Sequence, residues 1–539
     1  MMLAHQCSAR TYLALLVVLL FSILLLTAHR LHNGYPIELP HLPDGLRDHD
    51  AGAGQNDPQR DPEIETSSTE AGGSQSQAGA SRTGSASSDF CGRDWEFLRS
   101  KDLGLTENIV YTRRCVKPLH GDVDRNALGN IKDPLISSTT NLNLKADCSR
   151  EAPPPCEPLA LEVPPAFPEP NGQYGHLLFG IASTYERVKE SLPVFAHWLA
   201  DTGAQLLAVV ADADDPVLKP DLKALEAQYR DHKVNATIVS PRFKESLPRK
   251  NTKDEKPKRP AAVEQLHFLL IRDMLEASSP QTQWLGVLDD DTFFPALHPL
   301  SVALSEHDHT KPAWLGALAD NWISIKIWGY MAYGGAGTFL SVPLARELDP
   351  HLEDCVRETV VPSGDGMLRD CMYTRTTTKL TIVDDLYQND IRGDPAGFFE
   401  SGRRVLSIHH WKSWYQAPVS IMAAIARVCG DCFLQRWRFG TDTLLANGYS
   451  ISVYRDGIDK IDLDRMESTF DEADGRFDFI YGPFRPRLPD DKKKSYQLEA
   501  VDGGFGKGEK FRQLYVHRAK RDEADTQAVD EVVELVWDI

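Results

Sequence analysis

Residues 284–294 read WLGVLDDDTFF. Five apolar or small residues run into three consecutive aspartates, and Phe293 and Phe294 follow closely. A short apolar run bounded by a turn signal suits a fully buried strand. Carboxylates this close repel one another and are costly to bury unpaired. A strand here puts Asp289, Asp290 and Asp291 at its carboxyl end, which is where open α/β sheets bind ligands. Oxygen ligands on one short loop suit Mg2+ or Mn2+. A cation held by one or two carboxylates also keeps positions for substrate phosphates. By their type alone, aspartates also serve as helix caps and turns.

The flanking sequence supports an α/β sheet. HLLFGIAS (176–183), QLLAVVAD (205–212) and AWLGAL (313–318) read as buried strands. Val188, Leu192, Phe195 and Leu199 repeat at helical spacing, with Pro193 demanding a first turn or a kink. Val263, Leu266, Leu270 and Met274 mark another helix, ending before Ser279-Pro280. Apolar strands alternating with helices imply a sheet covered on both faces. After about residue 416, YSISVY, FDFIYG and VVELVW read as short strands of a small β-rich extension.

The chain has 539 residues and a net charge of −19, a poor match to nucleic acid, whose phosphates need a basic surface. Tyr12–Ala28 (YLALLVVLLFSILLLTA) carries no charge, and its 17 residues reach the short end of a bilayer span. Leu26 stands where a cleavage site needs a small residue, so a retained signal anchor is favoured over a cleaved signal peptide. Residues 33–88 are rich in Gly, Ser, Pro, Asp and Gln and read as a stem unable to fold. Eight of the nine cysteines lie beyond the anchor, which suits disulfides in an oxidising lumen. Asn235-Ala236-Thr237 is a glycosylation sequon. The expected organisation is a cytosolic tail (1–10), a signal-anchor helix (11–28), a disordered stem (29–88), a Cys-containing lead-in (89–170), a catalytic domain (171–415) and the β-rich extension (416–539). The segment 241–260 holds eight basic residues, either a solvated loop or a patch for anionic ligands.

Five segments in order resemble one family. WLGVLDDDTFF resembles the metal-binding segment of the fringe and core-1 β3-galactosyltransferase superfamily (glycosyltransferase family 31). TYERVKESLPVFAHWL (184–199) resembles its nucleotide-binding start, AYGGAGTFLS (332–341) its GGAG element, SGDGMLRDCMY (363–373) its acidic motif, and RVLSIHHW (404–411) its late SxH segment. HHW and QNDIRGDPAGFFESG (388–402) look closest to the fungal members. The resemblance spans about 175–415. It implies a GT-A fold and an inverting, Mn2+-dependent transfer of a hexose or N-acetylhexosamine from a UDP-sugar to a glycan or glycoprotein acceptor, with a β-1,3 link. It also implies a Golgi or other secretory-pathway membrane protein, single-pass type II, with its catalytic domain in the lumen.

Carried over residue by residue, the resemblance assigns Asp291, Asp289 and His409 to the metal, and Thr184, Arg187, Asp289 and Asp290 to the nucleotide. The spacing from Ser407 favours His409 over His410. Asp365 matches the general base, which must lie within hydrogen-bond reach of the acceptor hydroxyl. The family often has two acidic residues here, whereas this chain has Gly364-Asp365. A Cys355–Cys371 disulfide is implied as well. Gly334, Gly335 and Gly337 allow close backbone approach to a sugar or make a tight turn. Asp390 and Trp411 are candidates for acceptor contacts, with Asp384, Asp385 and Asp394 in reserve. Cys429-Gly430-Asp431-Cys432 lacks the βαβ context of a redox motif and reads as structural. Two rival readings stand beside this one: a non-catalytic glycan-binding or chaperone member of the same fold, and a metal-dependent hydrolase.

Overall fold

The computed structural model describes residues 90–150, 154–250, 259–471, 476–506, 508–520 and 529–539. The expected tail, anchor and stem lie outside the described residues, as does 251–258 of the basic segment. Among the described residues no helix is long and apolar enough to cross a membrane.

The strands in chain order are β1 (Asn108–His120), β2 (Gly129–Ile131), β3 (Thr140–Asn143), β4 (Glu157–Val163), β5 (Leu177–Ser183), β6 (Gln205–Val210), β7 (Asn235–Val239), β8 (Trp284–Val287), β9 (Trp314–Gly316), β10 (Thr338–Ser341), β11 (Leu380–Ile382), β12 (Arg436–Phe439), β13 (Thr443–Ala446), β14 (Ser450–Tyr454), β15 (Lys493–Gly503), β16 (Lys510–His517) and β17 (Asp530–Asp538). Seven of them form one sheet in the order β11-β9-β10-β8-β5-β6-β7. β10 runs antiparallel to β8 and β9, while the other pairings in this sheet are parallel.

Strand residues point alternately to the two faces, so a strand buried on both sides feeds two cores. β5 shows this directly. Leu177, Phe179 and Ile181 pack in one core with Leu192, Phe195 and Trp198 of the helix Leu192–Leu199. Leu178 and Ala182 pack in the other with Leu266, Leu270 and Met274 of the helix Val263–Ala277. Gly180 belongs to the tight second contact, because a Cβ there would overlap Leu270 and Met274. A mixed, mostly parallel sheet with helices on both faces is the α/β layout expected of a GT-A fold. Pro193 acts as its chemistry requires: one helix, Tyr185–Glu190, stops, and the next begins with Pro193 in its first turn.

The remaining ten strands form a second sheet, β2-β12-β13-β14-β15-β16-β17-β1-β3, with β4 on β1. The C-terminal extension is β-rich as expected, but the lead-in shares its sheet. β1 pairs in parallel with β17 over eight residues. The lead-in disulfides are Cys91–Cys148 and Cys115–Cys156, and Cys429 pairs with Cys432. One segment differs from its expected structure. FDFIYG was expected to be a strand, yet Asp478–Tyr481 is a short helix closed by Gly482 at φ 78°. The alternation of Phe477, Phe479 and Tyr481 mimics a strand. In the helix, Phe477 and Tyr481 lie on one face against Phe470, and Phe479 is exposed.

Candidate metal centre and catalytic site

The three aspartates diverge as soon as β8 ends. The Leu288 amide donates to the Gly180 carbonyl, and the chain then turns, with the Thr292 amide donating to the Asp289 carbonyl. Phe293 and Phe294 are fully buried and anchor the far side of this turn; Phe294 packs edge-on against Trp198. Phe293 and Ile408 exchange backbone hydrogen bonds of 2.9 and 2.8 Å. That bridge carries His409 to the aspartates from more than a hundred residues away.

Asp290 is buried and turned away from the other two. Its carboxylate takes a two-pronged ion pair from Arg187, with Arg187 Nε at 2.5 Å, and a hydrogen bond from the Ser183 hydroxyl. Asp290 and Arg187 were both expected at the nucleotide; here they engage each other. A bidentate guanidinium pair of this kind fixes geometry, so the pair locks the loop to the helix Tyr185–Glu190, and Ser183 ties it to the end of β5. Thr184 lies beside it, just before the helix Tyr185–Glu190.

Asp289 and Asp291 converge on one ring. His409 Nε2 lies 2.9 Å from Asp291 Oδ1 and 3.3 Å from Asp289 Oδ2. His409 Nδ1 faces the Gln388 carbonyl at 3.2 Å. With Nδ1–H donated there, Nε2 faces the carboxylates as the N–H of a charged imidazolium, and a bound cation would take the place of that proton. Burial works to raise the Asp291 carboxyl, but the His409 imidazole outweighs it and holds it down at about 2. Burial likewise works to lower His409, and the two carboxylates drive it well above its usual value.

His410 sits beside this set, and its ring can share a compact ligand group with Asp291 and His409. Its own contacts point elsewhere. The ring stacks on Trp414 at 4.0 Å, Nδ1 meets the Ser413 hydroxyl at 3.2 Å, and Nε2 is 3.5 Å from Asp390 Oδ1. Burial, aided by the charge on His409, pushes His410 down to about 4.

The glycines have a concrete role. A Cβ on Gly335 would overlap the His409 ring, 2.5 Å from its Cγ, and one on Gly334 would lie 2.7 Å from Asp365 Oδ1. Gly337 has φ +99°, a conformation that side chains resist. At Gly334 and Gly335 the backbone comes this close to the site's own side chains.

Asp365 occupies the first turn of the helix Gly364–Arg375, whose N-terminus is capped by Ser363. The disulfide Cys355–Cys371 ties this helix to Leu352–Glu358. Burial and the nearby Asp289 raise the Asp365 carboxyl to about 6, against the opposing pull of His267 and the Gly334 amide. A carboxylate poised near neutrality suits a general base.

Trp411 Nε1 donates to the Asp291 carbonyl at 2.8 Å, and the Tyr415 hydroxyl donates to the His409 carbonyl at 2.7 Å. Both aromatics thus brace the backbone under the cluster. Asp394 caps the turn at Ala396 and pairs with Arg487. Of the basic segment, Arg242 pairs with Asp273 and Glu276, and Lys250 with Glu358.

Two carboxylate-rich contacts escaped the sequence reading. His267, 8% exposed, points Nε2 at Asp289 Oδ1 from 3.3 Å. Burial works to lower it, and Asp289 and Asp365 together carry it up to about 9. Asp320, 1% exposed, accepts from the Asn389 amide at 2.5 Å; burial and Asp390 raise it to about 7. A signal existed for each. His267 interrupts an apolar helix face, and Asp320 follows β9 much as Asp289 follows β8.

Residues 325–422 match a family model described as "Protein of unknown function, DUF604". That stretch contains the GGAG turn, Asp365, Asp390 and both histidines. No curated protein matches the chain. Among solved structures, the chain is similar to mouse xyloside xylosyltransferase 1 in its apo form, at 11% identity over 38% of this chain and 84% of that one, with a TM-score of 0.24. It is also similar to the galactosyltransferase LgtC in complex with donor and acceptor sugar analogs, at 10% identity over 45% and 81%, with a TM-score of 0.26. A mannosyltransferase from Pyrobaculum calidifontis, in complex with GDP-Man and Mn2+, matches at 12% identity over 44% and 64%, with a TM-score of 0.23. At these TM-scores the likenesses carry no weight for function.

Proposed function

We propose that the protein is a divalent-cation-dependent glycosyltransferase that moves a hexose or N-acetylhexosamine from a UDP-sugar to a glycan hydroxyl, with inversion and a β-1,3 link. The observation that carries this reading is the convergence of Asp289, Asp291 and His409 Nε2 at the carboxyl end of β8, with Asp365 on the adjoining helix. Carboxylates and imidazoles are a donor set that fits Mn2+; Asp291, His409 and His410 form the compact group, and Asp289 meets the same His409 nitrogen. Asp289, Asp291 and His409 would hold the cation, which when bound supplies positive charge for the departing diphosphate. Asp365 takes the proton from the acceptor hydroxyl as that oxygen attacks the anomeric carbon. Arg187 and Asp290 keep the loop in place, Trp411 ties it to the His409 segment, and Tyr415 braces the His409 backbone.

The uncharged stretch Tyr12–Ala28 supports a type II anchor in a Golgi or other secretory-pathway membrane. The disulfides Cys91–Cys148, Cys115–Cys156 and Cys355–Cys371 support an oxidising lumen for the body. The test is a UDP-release assay on the full-length chain with a panel of UDP-sugars and glycan acceptors, with and without Mn2+. Metal-dependent release that grows with acceptor supports the reading, and metal-independent or absent release rejects it.

A further inference from the structure

We propose that His267 is a positioning residue of this reaction: its ring is the spacer that sets the metal-side carboxylate Asp289 against the acceptor-side base Asp365. The inference rests on the glycosyltransferase reading and names a residue which that reading does not require.

The helix Val263–Ala277 buries Leu266, His267, Phe268, Leu269, Leu270, Ile271 and Met274. His267 is the one ionisable group among them. Burying an imidazole in an apolar face is unfavourable unless its nitrogens are bonded, and buried polar atoms are nearly always satisfied. Here Nε2 has no aligned hydrogen bond. It stops 3.3 Å from Asp289 Oδ1, a distance that allows attraction without good geometry. The nitrogen is therefore held at the site by its attraction to Asp289 together with the packing of its ring.

Two glycines show how tight that packing is. A Cβ on Gly364, the residue before the base, would overlap Nδ1 and lie 3.0 Å from Cγ of the ring. A Cβ on Gly334 would lie 3.2 Å from Cε1 of the same ring and 2.7 Å from Asp365 Oδ1. The imidazole thus has the start of the Asp365 helix on one side, the GGAG turn on another and Asp289 at its tip. Its width sets the gap between the two carboxylates on which metal and base depend. A misplacement of about 1 Å at such a point costs on the order of 10²-fold in rate.

The test uses full-length parent, His267→Ala and His267→Gln, with Gly364→Ala in the parent and in the His267→Ala background. In His267→Ala, kcat for transfer should fall ~10²-fold and stay low at saturating Mn2+, while Mn2+ affinity, read by electron paramagnetic resonance, falls by no more than about 10–100-fold because Asp289 loses its neighbour. His267→Gln, which keeps an amide nitrogen near the Nε2 position, should regain part of that loss; it is also the variant to use if the alanine form does not fold. Gly364→Ala should lower Tm in the parent and much less where the ring is gone. An unchanged kcat in a folded variant, or a kcat restored in full by saturating Mn2+, overturns the positioning role. So does an equal cost of Gly364→Ala in both backgrounds, whatever the activity. A parent chain that turns over no UDP-sugar instead refutes the glycosyltransferase reading, and the role falls with it.

Discussion

Gly335→Ala is the smallest change that should disable the metal centre without touching a ligand. The added methyl would stand 2.5 Å from His409 Cγ and overlap Nδ1 and Cε1. Ordinary contact begins near 3.4 Å, so the ring must retreat by roughly 1 Å or the turn must open. Neither is easy. The ring is 3% exposed, its Nδ1 is tied to the Gln388 carbonyl, and the Gly335 carbonyl accepts from Thr292 Oγ1 at 3.1 Å. Overpacking of this kind costs about 1–3 kcal/mol of stability. The larger effect falls on Nε2, which leaves its position between Asp289 and Asp291. Disturbing a residue that orients a ligand lowers metal affinity by about 10–100-fold. Mn2+ titration followed by electron paramagnetic resonance measures this directly, with circular dichroism as the check on folding. A folded Gly335→Ala protein that binds Mn2+ as tightly as the parent would show that His409 does not hold the cation.

Three further outcomes are expected. Burial and Asp289 raise Asp365 to about 6; protonated below that, it cannot accept the acceptor's proton. The kcat/KM profile for transfer should therefore fall on the acid side of about pH 6, and a limb centred near pH 4 would exclude Asp365 as the base. Asp320 has a folded value of about 7 against an ordinary 3.8. The stability it lends is complete below about pH 4 and is lost as pH rises toward 7, by up to roughly 4 kcal/mol. Asp320→Asn, always neutral, should match the parent's Tm at pH 4 and exceed it at pH 8; equal Tm values at both would contradict the buried-acid account. Arg187→Met leaves the buried Asp290 carboxylate with Ser183 as its one side-chain hydrogen-bond partner among the described residues. The guanidinium is itself 56% exposed, so the cost should be about 2–4 kcal/mol in urea unfolding, below that of a fully buried pair. A loss under 0.5 kcal/mol, within the range of ordinary surface substitutions, would mean the pair is incidental.

Apolar period and turn chemistry made much of the α/β core legible. β5, β6, β8 and β9 are short continuous apolar runs, and the stripe of Val263, Leu266, Leu270 and Met274 lies on the helix observed. The second sheet was far less legible. Its lead-in strands β2 and β3 are short and polar, and β1 gains its partner β17 from the far end of the chain. No local pattern announces a pairing over that separation. Motif order placed Asp289, Asp291, Asp365 and His409 in one neighbourhood. It could not say that Asp290 turns to Arg187, since adjacent aspartates look alike in sequence and differ only in which way the turn sends them. His267 and Asp320 were passed over because each stands alone in an apolar run. What marks them is the company that folding gives them, Asp289 for one and Asp390 for the other.

The most direct test of the central claim is the fate of a UDP-sugar on the full-length chain, followed by proton NMR with Mn2+ and a glycan acceptor present. The account predicts acceptor-dependent release of UDP and a product of inverted anomeric configuration. Both should vanish on removing Mn2+ and in Asp365→Asn, which should still bind donor and metal. Retained configuration, or turnover by Asp365→Asn at the parent's rate, would contradict it.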